Sequence, residues 1–152
     1  MAENIYDVLR EEHQKQRTLI DLIEKTHGDS QGRQELFERL TIEARAHTAV
    51  EERVFYSTLL ADELTRDKAG HSVEEHNEAE EILEELSNKD MSSTGWLNRF
   101  HTLAEALRHH MDEEEQEVFQ LAGKALSDAQ AKQMAKQYRA EKPKQKKDEK
   151  AA

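Results

Sequence analysis

The sequence repeats itself after sixty-three residues, and this repeat constrains the fold more than any other feature. The segment HTAVEERVFY begins at His47, and the related segment HMDEEEQEVF begins at His110. The same ungapped offset places the triplet EEH that ends at His13 on the triplet EEH that ends at His76. An internal repeat of this kind indicates that one supersecondary unit occurs twice. We therefore expect two related helical hairpins that close on one shared site.

The spacing of apolar residues predicts an all-α protein. Apolar side chains recur every three or four residues, which is the period of an amphipathic helix, in four long segments, residues 4–27, 31–60, 65–88 and 95–123. Short connections between such helices favour antiparallel neighbours. We therefore predict an up-down-up-down antiparallel four-helix bundle.

The C-terminal part of the chain has a different composition from the four long segments. Ser127 and Gln130 have the spacing of a capping box, which predicts the start of a short fifth helix. The last residues, EKPKQKKDEKAA, are charged and of low complexity. The predicted organisation is a bundle in residues 1–126, a short helix in residues 127–139 and a disordered tail in residues 140–152.

Composition restricts the classes of site and partner. The 152-residue chain contains no cysteine, which excludes disulfides, thiolate metal sites and iron–sulfur clusters and leaves histidine and carboxylates as strong ligands. The net charge of −11 opposes binding to nucleic acid or to an anionic membrane. No apolar run approaches the roughly 20 residues that cross a bilayer, and the N-terminus does not read as a signal peptide. We expect a cytoplasmic monomer or weak homodimer with no nucleic-acid or membrane partner.

Histidine and glutamate occupy positions in the helical seams where apolar residues belong. These residues are His13 in the first helix, His47 and Glu51 in the second, His76 and Glu80 in the third, and His110 and Glu114 in the fourth. Side chains four residues apart share one face of a helix. Each His-x-x-x-Glu pair therefore presents an imidazole and a carboxylate to the same cation.

A bound metal explains why these polar side chains point inward. An unpaired buried charge costs several kcal/mol, which is comparable with the whole stability of a small domain. The two equivalent half-sites predict two metal ions, with the carboxylates of Glu51 and Glu114 bridging between them. Nitrogen and oxygen ligands favour iron, with manganese and zinc as alternatives.

The spacing alone does not select the ligands. Chance gives about one or two His-x-x-x-Glu pairs in a chain of this composition, whereas this chain has six, which begin at His47, His71, His76, His101, His109 and His110. His71 and His101 lie about 100° of helix rotation away from the seams, which predicts solvent-facing or supporting roles. The repeat aligns His110, and not His109, with His47, so we assign His110 to the site.

These motifs resemble those of the hemerythrin family, specifically the bacterial HHE cation-binding domains, over roughly residues 4–123. The motifs are the EEH context of His13, HTAVEERVFY, EEHNEAEE and HHMDEEEQEVFQ. The resemblance implies a non-haem di-iron centre with an oxo or hydroxo bridge. One iron would take His76, Glu80 and His110, the other would take His13 and His47, and Glu51 and Glu114 would bridge. The iron with fewer protein ligands would keep a position open for a small molecule such as dioxygen, peroxide or nitric oxide.

The chain departs from the oxygen-carrying hemerythrins at several positions. Glu80 stands where carriers have a histidine, and Glu114 or Glu115 stands where they have an aspartate. Ser57 and Gln120 replace a proline that is frequent in this domain class. An anionic ligand at position 80 favours the ferric state. The sequence therefore predicts oxidation chemistry, handling of peroxide or nitric oxide, or iron sensing, in preference to reversible dioxygen carriage.

Two other classes of function stay open at this point. One is a metal-free helical interaction module in which the histidines and glutamates form a polar network. The other is a ferritin-like iron oxidase or storage protein, although that class uses Glu-x-x-His pairs on two helices and this chain has only Glu24 with His27. An oxidase, peroxidase or catalase-like activity is compatible with the di-iron interpretation, and the sequence does not decide whether the protein is an enzyme.

Overall fold

The computed structural model describes residues 2–152, and these residues form helices and no strands. The five helices are α1 (Ile5–Glu24), α2 (residues 31–61), α3 (Arg66–Ser87), α4 (residues 94–125) and α5 (Asp128–Ala151). The predicted all-α class is therefore confirmed for the described part of the chain. Within residues 2–152, no helix combines the length and the apolar character that crossing a membrane requires.

Two of the long helices contain a π-helical turn. In α2, the α-helical segment Gln31–Glu51 is followed by the π-helical segment Glu52–Tyr56 and by Ser57–Ala61. In α4, the segments are Thr94–Glu113, the π-helical Glu114–Val118, and Phe119–Ala125. The two π-helical turns occur at nearly equivalent places in the repeat. Single π turns inside α-helices often mark functional sites.

Local sequence explains where the helices begin. The side chain of Asn4 accepts a hydrogen bond from the backbone of Asp7, and Asp7 bonds back to Asn4, which makes a capping box at the start of α1. Ser127 and Gln130 make the predicted capping box at the start of α5. Each cap satisfies backbone N–H groups that have no partner within the helix.

Two apolar clusters form the core, one toward each end of the helices. The first half of α1 packs with the second halves of α2 and α4, the start of α3, and α5. The second half of α1 packs with the first halves of α2 and α4 and with the end of α3. Opposite ends of α1 and α2 therefore meet, as do opposite ends of α3 and α4. Between the two clusters lies a polar layer, made of the buried histidines and glutamates that interrupt the apolar rows of the helices.

The C-terminal segment differs from the sequence-based prediction. The predicted helix ends near Arg139 and the predicted tail is disordered, whereas α5 continues through Pro143 to Ala151. Contacts with α1 and α2 explain the difference. Lys142 Nζ lies 2.5 Å from Glu12 Oε1 and 3.0 Å from Glu43 Oε2, and Lys146 also pairs with Glu43.

The ion pair between Lys142 and Glu12 gives a testable prediction about α5. Glu12 is 2% exposed, so removal of the ammonium group in Lys142→Ala leaves a buried carboxylate without its main partner. We expect the free energy of unfolding to fall by roughly 3 kcal/mol, measured by urea denaturation. The control is Lys147→Ala, because Lys147 is exposed on the same helix. Equal stability of the two variants would contradict this account of α5.

Candidate metal centre

Six of the seven predicted site residues meet in the polar layer. They form two groups, His13, His47, Glu51 and Glu114 in one, and Glu51, His76, His110 and Glu114 in the other. In each group, one ligand atom from every residue lies within 4.8 Å of the others, and all of the residues are buried. The two groups share both carboxylates. This sharing is what a bridged pair of cations requires.

A spacing of four residues places a histidine and a glutamate on the same inward face of α2 and of α4. His47 and Glu51 are one turn apart at the end of the first α-helical segment of α2. His110 and Glu114 have the same spacing in α4. The π-helical turn that follows Glu51 brings residues five apart onto one face, so Tyr56 also points inward. Its hydroxyl group donates a hydrogen bond to Glu114 Oε2.

The inward-facing atoms are separated by distances that suit neighbouring ligands of one ion. The imidazole-to-carboxylate pairs are His13 Nε2 to Glu114 Oε1 at 3.0 Å, His76 Nε2 to Glu51 Oε1 at 3.2 Å, His47 Nε2 to Glu51 Oε2 at 3.3 Å, and His110 Nε2 to Glu114 Oε2 at 3.5 Å. Metal-to-ligand distances of about 2.0–2.2 Å put adjacent ligands roughly 3.0–3.5 Å apart. The donor set therefore has the dimensions of a metal site.

Unsatisfied buried atoms provide an independent test of this fit. Among the described residues, His13 Nε2, both carboxylate oxygens of Glu51 and Glu114 Oε1 have no hydrogen-bond partner. Buried polar atoms without partners are rare, because each loses its hydration without compensation. A cation between these atoms supplies the missing partner for all of them. The residues present therefore fit a bound metal.

The outward nitrogen of every histidine in the site is also held. The contacts are His13 Nδ1 with Glu115 at 2.6 Å, His76 Nδ1 with Glu52 at 2.8 Å, His110 Nδ1 with Glu75 at 2.9 Å, and His47 Nδ1 with the Tyr138 hydroxyl at 2.9 Å. An acceptor at Nδ1 keeps the proton on that nitrogen and leaves the Nε2 lone pair facing inward. These partners orient the imidazoles as ligands.

The repeat contains a signal for three of these carboxylates, which the sequence-based prediction missed as partners of the histidines. Glu52 and Glu115 are sixty-three residues apart, and so are the histidines that they hold, His76 and His13. Glu75 likewise precedes His76 in a triplet that the first half repeats. Glu52 and Glu115 therefore match each other in position and in role, and the offset identifies this pair of supporting carboxylates.

Tyr138 breaks the symmetry of the two halves, and no repeat signal predicts it. By the offset, Glu12 is equivalent to Glu75 and should contact His47 directly. Instead the Tyr138 hydroxyl lies between them and donates to Glu12 Oε1 at 3.0 Å while it accepts from His47. Tyr138 belongs to α5, which lies outside the repeat. Its role depends on how α5 docks.

The electrostatics of the metal-free cluster are those of imidazolium groups around carboxylates. Burial lowers the pKa of His13, but the close carboxylates of Glu114 and Glu115 outweigh this effect and raise the pKa to about 9. In the same way, Glu114 and Glu75 raise the pKa of His110 to about 10. Burial raises the pKa of the Glu114 carboxyl, but the two imidazoles hold it well below its usual value. Protons thus provide the positive charge that a metal supplies when it binds.

Glu80 does not join the cluster. Its carboxylate is 48% exposed and accepts from Arg45 Nε at 3.0 Å and 3.1 Å, whereas His76 turns inward. Arg45 of α2 forms an ion pair with Glu80, and this contact holds the Glu80 carboxylate away from the buried ligands. The prediction that an anionic ligand at position 80 favours the ferric state therefore loses its structural basis.

A cavity of about 560 Å³ adjoins the cluster. All four inward histidines line it, together with apolar side chains that include Leu83, Leu107 and Met111. Arg45 and Glu80 also line it, so the ion pair faces the cavity even though it does not reach the ligands. The cavity gives a small molecule room beside the histidines, between apolar side chains and charged ones.

The carboxylate behind His13 gives a testable prediction. Glu115→Gln keeps the size of the side chain but removes the negative charge 2.6 Å from His13 Nδ1. Loss of such a supporting carboxylate lowers metal affinity by roughly 10- to 100-fold, measured by competition with a chromophoric chelator. The control is Glu105→Gln, which changes an exposed residue of the same helix. An unchanged affinity in Glu115→Gln would show that this carboxylate does not support the ligand.

Comparisons with known proteins agree with this picture. The family model of the hemerythrin HHE cation binding domain matches residues 4–122. The crystal structure of a hemerythrin HHE cation binding domain-containing protein from Mycobacterium kansasii has a TM-score of 0.85, covers 96% of this chain and 89% of that chain, and is 24% identical. It shows a similar fold. A DNA nickase from Nostoc sp. is 28% identical over 141 residues, which are 93% of this chain and 40% of that protein.

Proposed function

Because the chain belongs to the hemerythrin HHE cation-binding domain family, we propose that its buried cluster holds two iron ions and that the protein binds or reacts with a small molecule beside them. The observation that carries this proposal is the sharing of Glu51 and Glu114 by two complete groups of ligands. The unpartnered atoms of His13, Glu51 and Glu114 support it further. Manganese and zinc are the alternative metals for the same nitrogen and oxygen donors.

The proposed ligand set follows the two groups of residues. His13 and His47 hold one ion, His76 and His110 hold the other, and the carboxylates of Glu51 and Glu114 bridge. Glu80 has no place in this set, because it pairs with Arg45. We take the up-down-up-down four-helix bundle as the frame of the site, on the support of the opposite ends that meet in the two apolar clusters.

When bound, a pair of iron ions supplies redox chemistry toward dioxygen, peroxide or nitric oxide. The chain's own residues prepare the surroundings for it. Burial and the neighbouring carboxylates of Glu114 and Glu51 raise the pKa of Tyr56 well above 10, so its hydroxyl keeps its proton and remains a donor to Glu114. The cavity beside the four histidines gives a small molecule room next to the proposed ions.

Two alternative functions have weaker support. A metal-free polar network would satisfy its own buried atoms, whereas Glu51 has two carboxylate oxygens without partners. A ferritin-like store would need Glu-x-x-His pairs on two helices, and the ligands in this cluster come from His-x-x-x-Glu pairs on α2 and α4. Both observations favour the hemerythrin-like centre.

The partner that we propose is a small molecule and not a nucleic acid. The net charge of −11 opposes contact with phosphates. Two lysines of α5 that face a surface cavity, Lys142 and Lys146, are already paired with Glu12 and Glu43. This chain spans less than half of the DNA nickase that it resembles, so the activity in that name gives no assignment for the chain.

Reconstitution with iron tests the proposal. We expect the protein, loaded with ferrous iron without air and then stripped of exchangeable metal by a chelator, to retain two iron ions per chain. His47→Ala and His110→Ala should lose one or both ions, because each removes a buried ligand, whereas His101→Ala should retain both. His101 is a fair control because it is half exposed and pairs with Glu24. Equal iron content in all three variants would show that the buried cluster is not the site.

Exposure of the loaded protein to small molecules tests the second half of the proposal. We expect dioxygen, peroxide or nitric oxide to change the visible absorption of the loaded protein, and to leave that of His110→Ala unchanged. Separate additions identify which molecule reacts. A loaded protein that is inert to all three would refute the small-molecule function while leaving the metal site in place.

A further inference from the structure

A second cluster of histidines and glutamates lies on the surface, outside the buried centre. His71 and Glu75 are one turn apart on α3, and His109 and Glu113 are one turn apart on α4. These are two of the six His-x-x-x-Glu pairs of the chain, and neither pair supplies a ligand to the buried centre. The two pairs face each other across the contact between α3 and α4.

The donor atoms of three of these residues converge at the distances of a mononuclear metal site, and His109 contacts two of the three. His71 Nε2 lies 3.5 Å from Glu75 Oε2 and 3.6 Å from Glu113 Oε1, and these three residues offer ligand atoms within 4.8 Å of one another. His109 Nε2 lies 3.5 Å from Glu75 Oε2 and 2.9 Å from Glu113 Oε2. Tetrahedral zinc with ligands at about 2.0–2.1 Å separates them by roughly 3.4 Å. Three of the four observed distances are within a few tenths of an ångström of that value.

Solvent reaches this cluster directly. The side chains of His71 and His109 are 52% and 68% exposed, whereas Glu75 and Glu113 are mostly covered. Two neutral imidazoles and two carboxylates carry a charge of −2, which matches a divalent cation. Lys68 is the cation now in place, because its Nζ lies 2.9 Å from Glu113 Oε1. A metal ion at this position competes with one ammonium group.

The repeat shows that the duplicated fold does not require this cluster. The positions sixty-three residues earlier than His71, His109 and Glu113 are Val8, Ala46 and Val50. These three residues are fully buried, and the apolar cluster that contains Val8 and Val50 also contains residues of α5. The first half therefore uses this face to pack against α5, whereas the second half presents two imidazoles to solvent with two carboxylates beneath them.

We propose that His71, Glu75, His109 and Glu113 form a second, solvent-accessible site for one divalent transition-metal ion. Imidazole and carboxylate donors suit zinc, cobalt, nickel and ferrous iron. Only three or four protein donors face the ion, so water completes the coordination and the ion exchanges with solvent. The proposal stands on these four residues and does not depend on the occupant of the buried centre.

Glu75 joins the two sites. Its Oε1 accepts from His110 Nδ1 at 2.9 Å, and its Oε2 faces His71. An ion on the surface would draw on the carboxylate that orients His110. Substitution of Glu75 would therefore disturb both sites, whereas His71 and His109 belong only to the surface site and are the residues to change.

Zinc binding to the metal-free protein tests the proposal. Equilibrium dialysis with zinc, followed by elemental analysis, gives the number of ions per chain. We expect the double variant His71→Ala and His109→Ala to bind one zinc ion fewer than the unaltered protein. When cobalt replaces zinc, the same variant should lack the visible absorption of one tetrahedral or five-coordinate cobalt ion. Circular dichroism should be unchanged, because both imidazoles are more than half exposed.

Two further variants make the result specific. The double variant His27→Ala and His101→Ala also removes two exposed histidines and should keep the full number of zinc ions. Lys68→Met removes the competing ammonium group and should tighten zinc binding at this site several-fold. The proposal is overturned if the His71 and His109 variant binds as much zinc as the unaltered protein, or if the control loses the same ion. A failure of the buried centre would lower all counts equally and leave the difference of one.

Discussion

The structure depends on the burial of two carboxylates, Glu51 and Glu114, in the middle of an otherwise apolar bundle. Both are fully buried, and three of their four oxygens have no hydrogen-bond partner among the described residues. Burial of a carboxylate in an apolar interior is costly unless positive charge or hydrogen-bond donors lie close by. The imidazoles of four histidines surround these carboxylates and, in the proposed centre, share the metal ions with them. The inward direction of these histidines and the supporting contacts behind them follow from this one requirement.

Each half of the repeat supplies histidines to the buried carboxylates, but α5 changes how the histidine of the first half is held. In the second half, Glu75 holds His110 directly. In the first half, Tyr138 of α5 stands between Glu12 and His47. The same helix covers the apolar face of α1 and α2, whereas the equivalent face of α3 and α4 is polar and open to solvent. The added helix thus gives His47 a different hydrogen-bond partner from that of His110.

The two kinds of His-x-x-x-Glu pair show why spacing alone is a weak signal. The pairs that begin at His47 and His110 are buried, because their positions lie on the apolar rows of α2 and α4. The pairs at His71 and His109 have the same spacing but lie on the outer face. The two members of the pair at His76 point in different directions. His76 faces inward, and Glu80 faces outward to Arg45. Helical rotation decides between these outcomes, and a partner on another helix can override it.

The sequence by itself determined the helical class, the start of the last helix at Ser127 and the identity of six inward-facing residues. These features can be predicted because helical periodicity and a sixty-three-residue repeat are both visible along the sequence without knowledge of tertiary contacts. The same repeat could also have identified Glu52 and Glu115, because the two positions match under the offset and so do the histidines that they hold.

Only the tertiary structure decided that Glu80 faces away from the cluster, that Tyr138 contacts His47 and that residues 140–151 are helical. Each depends on a charge or hydrogen-bond partner that lies far away in sequence: Arg45 for Glu80, His47 for Tyr138, and Glu12 for Lys142. A lysine-rich segment has the composition of a disordered tail until buried glutamates on α1 and α2 meet it. Such pairings arise from the docking of one helix on another, and no periodicity along the chain encodes them.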